Sequence, residues 1–512
     1  MQDRLGDAHE RLVPASERHA RGQYFTPIPV IQLVLDLLPG RPTSVLDPAC
    51  GSGRFLLGAA GRWPTAGLHG LETDPEALRL ARTNLPDATL AATSFLDATP
   101  SPVDLVLGNP PYVRDRGRKR DLYVDFIERS ARWLGPGGRL AFVLSAAWLD
   151  VGYGAEVRQL LQTDFAIEWI VESSAERWFP GAKVNTMVLV ARREPDAAVR
   201  AAQEVRFATV HEALPATPVV GRTMRQSDLG SDRPWGVFLR APDLWLEGRP
   251  ALPTLGALAT VRRGFTTNAN RFFYPSDAAR EGIEPRYLRP LLKSPKRVPG
   301  VRAAAAALTD AVFVCEDPAE GTGAGARQWI RANDRESWGL PAQTPARLFL
   351  PKGYGDRFRS PLFDAPVFCD QQLYQVLPAS GVDEKALAAL LNSTWFRLSL
   401  ELVGRVNFGD GVLWLGLEDA RRIPLPDPRG GEEALSAAFD GLPDGPVPPL
   451  PELAAAADWD RAQQALDAVV SELMGFSGEQ IATVHAAASA LCARRVRKAA
   501  SVRNPSIRQR SK

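Results

Sequence analysis

The sequence predicts an α/β protein: a doubly wound, mostly parallel seven-stranded sheet, then a second, irregular domain of β-rich or mixed structure, then a helical carboxyl-terminal segment. Three observations predict it. Between residues 21 and 195, seven short apolar runs alternate with helix-periodic runs through short connections, the pattern of a parallel sheet covered on both faces. Between 235 and 430, short apolar pieces are punctuated by Pro and Gly, and only Leu387 to Leu402 reads as a long helix. From about 459 to 498 the spacing reads as two helices. The expected organisation is a polar lead-in (1–20), a first domain (21–195), a connection (196–234) with one short strand candidate at Val205 to Val210, a second domain (235–430), a Gly/Pro-rich linker (431–453), and terminal helices with a basic tail (454–512).

In order, Pro27 and Pro29 suit a first helical turn, with Thr26 as its N-cap and apolar residues at 30, 31, 34, 35 and 38 on one face. Ser44 to Asp47 is a strand that opens into Asp47-Pro48-Ala49-Cys50-Gly51-Ser52-Gly53 and then a helix. The small residues allow close backbone approach, and a helix amino terminus offers free N–H groups. The second strand, Gly67 to Glu72, ends in a carboxylate placed to accept hydrogen bonds from two ribose hydroxyls. Ala88 to Phe95 and Val103 to Gly108 follow as strands three and four. Leu122 to Leu134 is an amphipathic helix, Gly135-Pro136-Gly137-Gly138 a turn, and Arg139 to Ser145 the fifth strand. A helix at Ala155 to Gln162 leads to Phe165 to Val171. Trp178-Phe179-Pro180-Gly181 precedes the last strand, Val184 to Ala191.

Strand four runs directly into Asn109-Pro110-Pro111-Tyr112. Two prolines forbid further strand, so an amide and an aromatic ring are left at a carboxyl end, where open α/β sheets place ligands. Such a cluster suits gripping a flat heterocycle by its amino group. The plainer reading of Asn-Pro-Pro is a strand-ending turn.

Composition narrows the class. A chain of 512 residues that is 45% hydrophobic supports several packed cores, and no run is long enough to span a membrane. The polar first residues carry no secretory leader. Cys50, Cys315, Cys369 and Cys492 are scattered among five histidines without metal-like or disulfide-like spacing, so the expectation is a reduced, cytoplasmic protein without a metal. Net charge is only +2, but Val113 to Asp121 carries five basic residues against two acidic ones, and Arg494 to Lys512 carries eight and no acid.

With these motifs in order, the first 195 residues resemble class I S-adenosylmethionine-dependent methyltransferases, and their order is similar to that of the Taq-type (gamma-class) DNA adenine-N6 enzymes. The resemblance implies S-adenosylmethionine as cofactor, with Thr26 and Asp47 at its methionine end and Ala49, Gly51 and Gly53 in the surrounding loop. It implies Glu72 at the ribose, and Ser94 and Phe95 at the cofactor's adenine. The family carries Asp directly before that Phe; here Ser94 stands there and Asp97 follows. Asn109, Pro110, Tyr112 and Phe179 would hold the target base, with Trp178 competing for the role of Phe179.

The implied reaction moves a methyl group to the exocyclic N6 amine of an adenine flipped out of duplex DNA. The second domain would read the DNA sequence, forming a basic cleft with the first. Arg114, Arg116, Arg118, Lys119, Arg262, Arg263 and Arg405 are the candidate DNA contacts, with Lys293 and Lys296 beside them, and the basic tail would add sequence-independent affinity. About 22 residues precede the Thr-Pro motif, too few for a nuclease domain. The expectation is therefore a monomer that modifies DNA within a restriction-modification or related defence system, any restriction partner being a separately encoded protein. Competing readings are a cytosine-N4 or RNA amino methyltransferase, a protein-glutamine methyltransferase, and a DNA-binding protein with an inactive methyltransferase fold.

Overall fold

The computed structural model describes residues 25–115, 120–150, 154–179, 185–231, 233–248, 251–315, 323–333, 344–406 and 411–503. The polar lead-in lies outside them. The chain divides into two compact units. The first is Met1–Arg240 with Asn407–Asp410 and Arg497–Lys512; the second is Ala241–Val406 with Gly411–Val496.

The first unit is built on a sheet of nine strands: β1 (Ser44–Asp47), β2 (Gly67–Glu72), β3 (Thr89–Ala92), β4 (Val103–Gly108), β5 (Leu134–Ser145), β6 (Phe165–Ser173), β7 (Thr186–Arg193), β8 (Glu204–Val210) and β9 (Val219–Arg225). Their order is β9-β8-β6-β7-β5-β4-β1-β2-β3. Strands β3, β2, β1, β4 and β5 run parallel, and β7 lies antiparallel between β5 and β6. The parallel strands are joined through helices α1 (Ile28–Asp36, ahead of β1), α2 (Arg54–Arg62), α3 (Pro75–Asn84), α4 (Leu122–Trp133) and α5 (Ala155–Asp164). Apolar residues from α1, α2 and the inner strands form one core in which Val34, Val45, Leu56, Leu107 and Val143 are buried. The β1–β4 neighbourhood is pinned below the site: Asp104 Oδ2 accepts from Thr43 N (2.7 Å) and Thr43 Oγ1 (2.6 Å).

The expected α/β class and mostly parallel sheet are present, and four details differ. The sheet has nine strands rather than seven: β8, at the strand candidate Val205 to Val210, and β9, which was not expected, come from the segment read as a connection and join the same sheet. Val205, Phe207, Ala208 and Val210 are buried in β8, whereas β9 exposes Val219 and Val220 at the sheet edge and so shows no apolar alternation. The Gly135-Pro136-Gly137-Gly138 segment is an irregularity inside β5: Val103 pairs with Leu134, and Leu105 with Arg139. Thr26 is not the cap of α1; Pro27 holds that position and makes no side-chain cap bond. The 431–453 linker is packed structure, with helix α8 (Glu432–Asp440) burying Leu435 and Phe439 one helical turn apart and Leu442, Val447, Leu450 and Leu453 buried after it. Its prolines masked this.

The second unit holds a seven-stranded sheet. Its main path is β10 (Ala259–Arg263), β15 (Leu373–Pro378), β13 (Ala346–Pro351), β14 (Leu362–Cys369), β11 (Leu288–Leu292) and β12 (Ala311–Phe313), and the short strand Arg302–Ala303 pairs with β14. The run from Leu387 to Leu402 is two helices, α6 (Glu384–Asn392) and α7 (Thr394–Val403). Ser393 ends the first in extended backbone and caps the second, accepting from Phe396 N at 3.2 Å. The terminal helices are α9 (Ala457–Met474) and α10 (Gly478–Arg503). Among the described residues no helix is long and apolar enough to cross a membrane.

Candidate active site at the carboxyl ends of the central strands

Because β2, β1 and β4 are parallel neighbours, their carboxyl ends emerge side by side, and each ends in a polar motif. Asp47 closes β1, Glu72 closes β2, and Gly108-Asn109 closes β4. The Asp47 carboxylate is buried at 2% exposure, and its Oδ1 accepts from Ala49 N at 3.1 Å. Gly53, at φ +90°, starts α2; a Cβ there would stand 2.8 Å from Leu85 Cδ1. A Cβ at Gly51 would meet open space, so the loop leaves room beside its backbone.

Glu72 does structural work that the sequence does not announce. Its Oε2 accepts from Gly51 N at 2.9 Å, while Oε1 accepts from Thr73 N and Asp74 N, each at 2.8 Å. The second-strand carboxylate thus fastens the first-strand glycine loop. Gly108 is a second position missed at the sequence level. A Cβ there would lie 2.6 Å from Asp47 Oδ1, so only glycine lets β4 pass the buried carboxylate. The signal was present: a glycine ending a buried strand marks close approach.

Asn109 follows immediately. Its Nδ2 donates to Thr26 Oγ1 at 3.1 Å, joining the Thr-Pro segment to the Asn-Pro-Pro-Tyr turn. Tyr112 donates its hydroxyl to the Val143 carbonyl at 3.1 Å, which moors the ring to β5. Thr26 is itself buried, at 5% exposure.

Burial raises the Asp47 pKa to about 8; the Ala49 N–H opposes this and the nearby Glu72 charge adds to it. An acid whose folded pKa lies above its unfolded value binds more protons when folded. Its contribution is therefore complete below about pH 4 and is lost as pH rises through about 8. The unliganded protein is expected to lose thermal stability from pH 5 to 8.5 more steeply than Asp47→Asn, measured by calorimetry. Equal slopes would show that Asp47 is already ionised.

The family model for N-6 DNA Methylase matches residues 1–231. That match covers 231 of the 512 residues. Type II methyltransferase M.XamI of Xanthomonas campestris pv. amaranthicola is 26% identical over 337 residues, covering 58% of this chain and 62% of that protein. Type II methyltransferase M.CvrRI of Paramecium bursaria Chlorella virus XZ-6E is 28% identical over 204 residues, 38% of this chain and 53% of its own. The chain thus spans between half and two thirds of these relatives. The crystal structure of the type IIG restriction endonuclease BpuSI aligns with 95% of this chain and 68% of its own at 15% identity, with a TM-score of 0.44.

Within the first unit the remaining predicted residues fall differently. Ser94 is half-buried, and its Oγ accepts from Leu96 N at 3.2 Å; Asp97 is exposed. The Phe95 ring lies in the core, 5.2 Å from Phe126 and 5.6 Å from Trp133 between centroids, so its side chain serves packing. Trp178 and Phe179 are both buried in the sheet core, so burial does not separate them.

Of the basic candidates, Arg114 pairs with Asp121 through its backbone, and Arg116, Arg118 and Lys119 lie outside the described residues. Arg120, at the end of that loop, is committed to Asp125, Glu128 and Glu156. In the second unit Arg262 and Arg263 are exposed on β10, as are Lys293 and Lys296. Arg405 is paired with Asp419 at 2.6 Å, which takes much of its charge. Arg495, counted in the basic tail, is buried against Glu401. Residues 504–512 lie outside the described residues.

Proposed function

We propose that the chain is a site-specific DNA methyltransferase that transfers the methyl group of S-adenosylmethionine to the N6 amine of an adenine flipped out of duplex DNA. The observation carrying this reading is Asn109 at the carboxyl end of β4, beside the buried Asp47 and the loop-holding Glu72. The residues fit the cofactor. A buried carboxylate suits the amino group of its methionine end, Glu72 lies at the adjacent strand end for the ribose, and the Gly51 backbone faces open space. When bound, the cofactor supplies a sulfonium methyl, electrophilic enough that the protein needs no nucleophile of its own.

The protein's task is then alignment. An adenine amine is a poor nucleophile because its lone pair is delocalised into the ring. Asn109 Oδ1 and the Pro110 carbonyl accept its two N–H bonds and favour a pyramidal nitrogen whose lone pair faces the methyl. These hydrogen bonds strengthen as positive charge develops on nitrogen, and the rate comes from them and from fixed geometry. Once it had taken up the methyl group that the cofactor would supply, the nitrogen held by Asn109 and Pro110 would release one proton to solvent. Tyr112 and Phe179 stack on the flipped base.

Thr26 acts in this reading through Asn109. Its hydroxyl takes the amide Nδ2–H, turning Oδ1 toward the substrate. Thr26→Val is expected to lower kcat about five- to tenfold, the worth of one neutral hydrogen bond, with cofactor Kd unchanged; Thr26→Ser restores the rate. A weakened cofactor Kd at unchanged kcat would return Thr26 to the methionine end of the cofactor.

The second unit reads the sequence, and the whole chain works as a cytoplasmic monomer, with any restriction activity in a separate protein. The decisive experiment supplies labelled S-adenosylmethionine and mixed duplex DNA, then digests to nucleosides. Label in N6-methyladenosine of the deoxy series is expected. Label in N4-methylcytosine, or transfer to RNA alone, would overturn the assignment.

A further inference from the structure

In the second unit, the end of β10 and the turn between β14 and β15 are stitched into one shelf. Gly264 N donates to Leu373 O (3.1 Å), Phe265 N to Cys369 O (2.8 Å), and Gln371 N to Phe265 O (3.0 Å). The fit is so close that a Cβ on Gly264 would stand 2.2 Å from Asp370 O. Beneath the turn, Asp370 is 4% exposed; its Oδ2 accepts from the Tyr274 hydroxyl at 2.9 Å and its Oδ1 from Gln372 N at 3.1 Å. The only acid of the turn is therefore buried and committed.

What this foundation presents outward is uniform in chemistry. Arg262, Arg263, Thr266, Asn268, Gln371 and Gln372 are exposed, and neither 259–274 nor 371–378 contains an acid. Asn268 sits at φ +52°, the single non-glycine residue with positive φ among the described residues. A strained backbone held by a rigid base is a feature of binding loops. Gln371 is fixed as well: its Oε1 accepts from Thr266 Oγ1 at 3.3 Å, which turns the Nε2 hydrogens outward.

We infer that this shelf reads duplex DNA in the major groove, with Gln371, oriented by Thr266, donating to a purine N7 edge. Amide donors on a rigid, arginine-bearing surface match base edges flanked by phosphates, whereas a protein partner would call for an apolar centre. Gln371 is the specificity-determining residue, and Thr266 positions it. The inference rests on the proposed DNA methylation and goes beyond it by assigning recognition to one side chain.

The test uses the full chain expressed in cells, with methylated positions mapped at single-base resolution. Gln371→Ala is expected to make one position of the parent's motif degenerate, with discrimination there falling about ten- to hundredfold and the other positions intact. Thr266→Val is expected to relax the same position less. Gln371 is exposed, and an unchanged melting temperature and cofactor Kd would show that fold and cofactor site are untouched. An unchanged motif, whether at the full rate or at a uniformly reduced one, overturns the inference while leaving DNA methylation standing. A parent chain that leaves DNA unmodified overturns both.

Discussion

Asn109→Ala is expected to slow methyl transfer at least about 10²–10³-fold, the loss seen when a preorganised hydrogen-bonding group at a reacting centre is removed. The reason is geometric. Asn109 stands where β4 is stopped by two prolines, its amide is held by Thr26, and Gly108 before it is locked against Asp47. Cofactor affinity, measured by titration calorimetry, is expected to change little, because Asp47 and Glu72 keep their own backbone partners. A variant that retains most of its rate would place the amine-gripping group elsewhere.

The second large effect is on stability. Glu401→Ala is expected to lower the melting temperature by roughly 6–20 °C, as breaking a buried ion pair costs about 3–5 kcal/mol in a unit of this size. Glu401 on α7 and Arg495 on α10 are paired through two contacts, Nε to Oε2 at 2.9 Å and Nη2 to Oε1 at 2.5 Å, with side-chain exposures of 3% and 5%. The guanidinium also donates to the Gly355 carbonyl at 2.8 Å and to that of Gly411. Removing the carboxylate leaves the buried guanidinium without the partner that offsets its charge. Glu401→Ala with Arg495→Met should recover much of the loss, since an apolar replacement of a buried pair is close to neutral. A double variant no better than the single one would assign the effect to packing.

These two positions differ in how legible they were. Asn109 was readable because its surroundings are local: strand, glycine, amide and two prolines in consecutive positions. Arg495 looked like one more charge in a basic run, because a carboxylate from a distant element leaves no trace beside it in sequence. The same holds for Phe95, whose motif pointed to the cofactor while Phe126 and Trp133 claim its ring. Edge strand β9 was missed for a related reason. Five of its seven residues are exposed and none is buried, so it never acquires the apolar alternation of a half-buried strand.

What the sequence determined by itself were the features written in short-range backbone chemistry. Proline fixes φ and glycine frees it wherever they occur, so the strand-ending turns after β1 and β4, the start of α2 and the break after Gly108 follow from a few adjacent residues. Tertiary structure alone decided the partnerships. Thr26 and Asn109 are 83 residues apart, and Gly51 and Glu72 are 21 apart. They meet because parallel pairing of β4, β1 and β2 brings their carboxyl ends to one edge. A hydrogen bond is set by distance in space, and that distance exists only once the sheet has chosen its strand order.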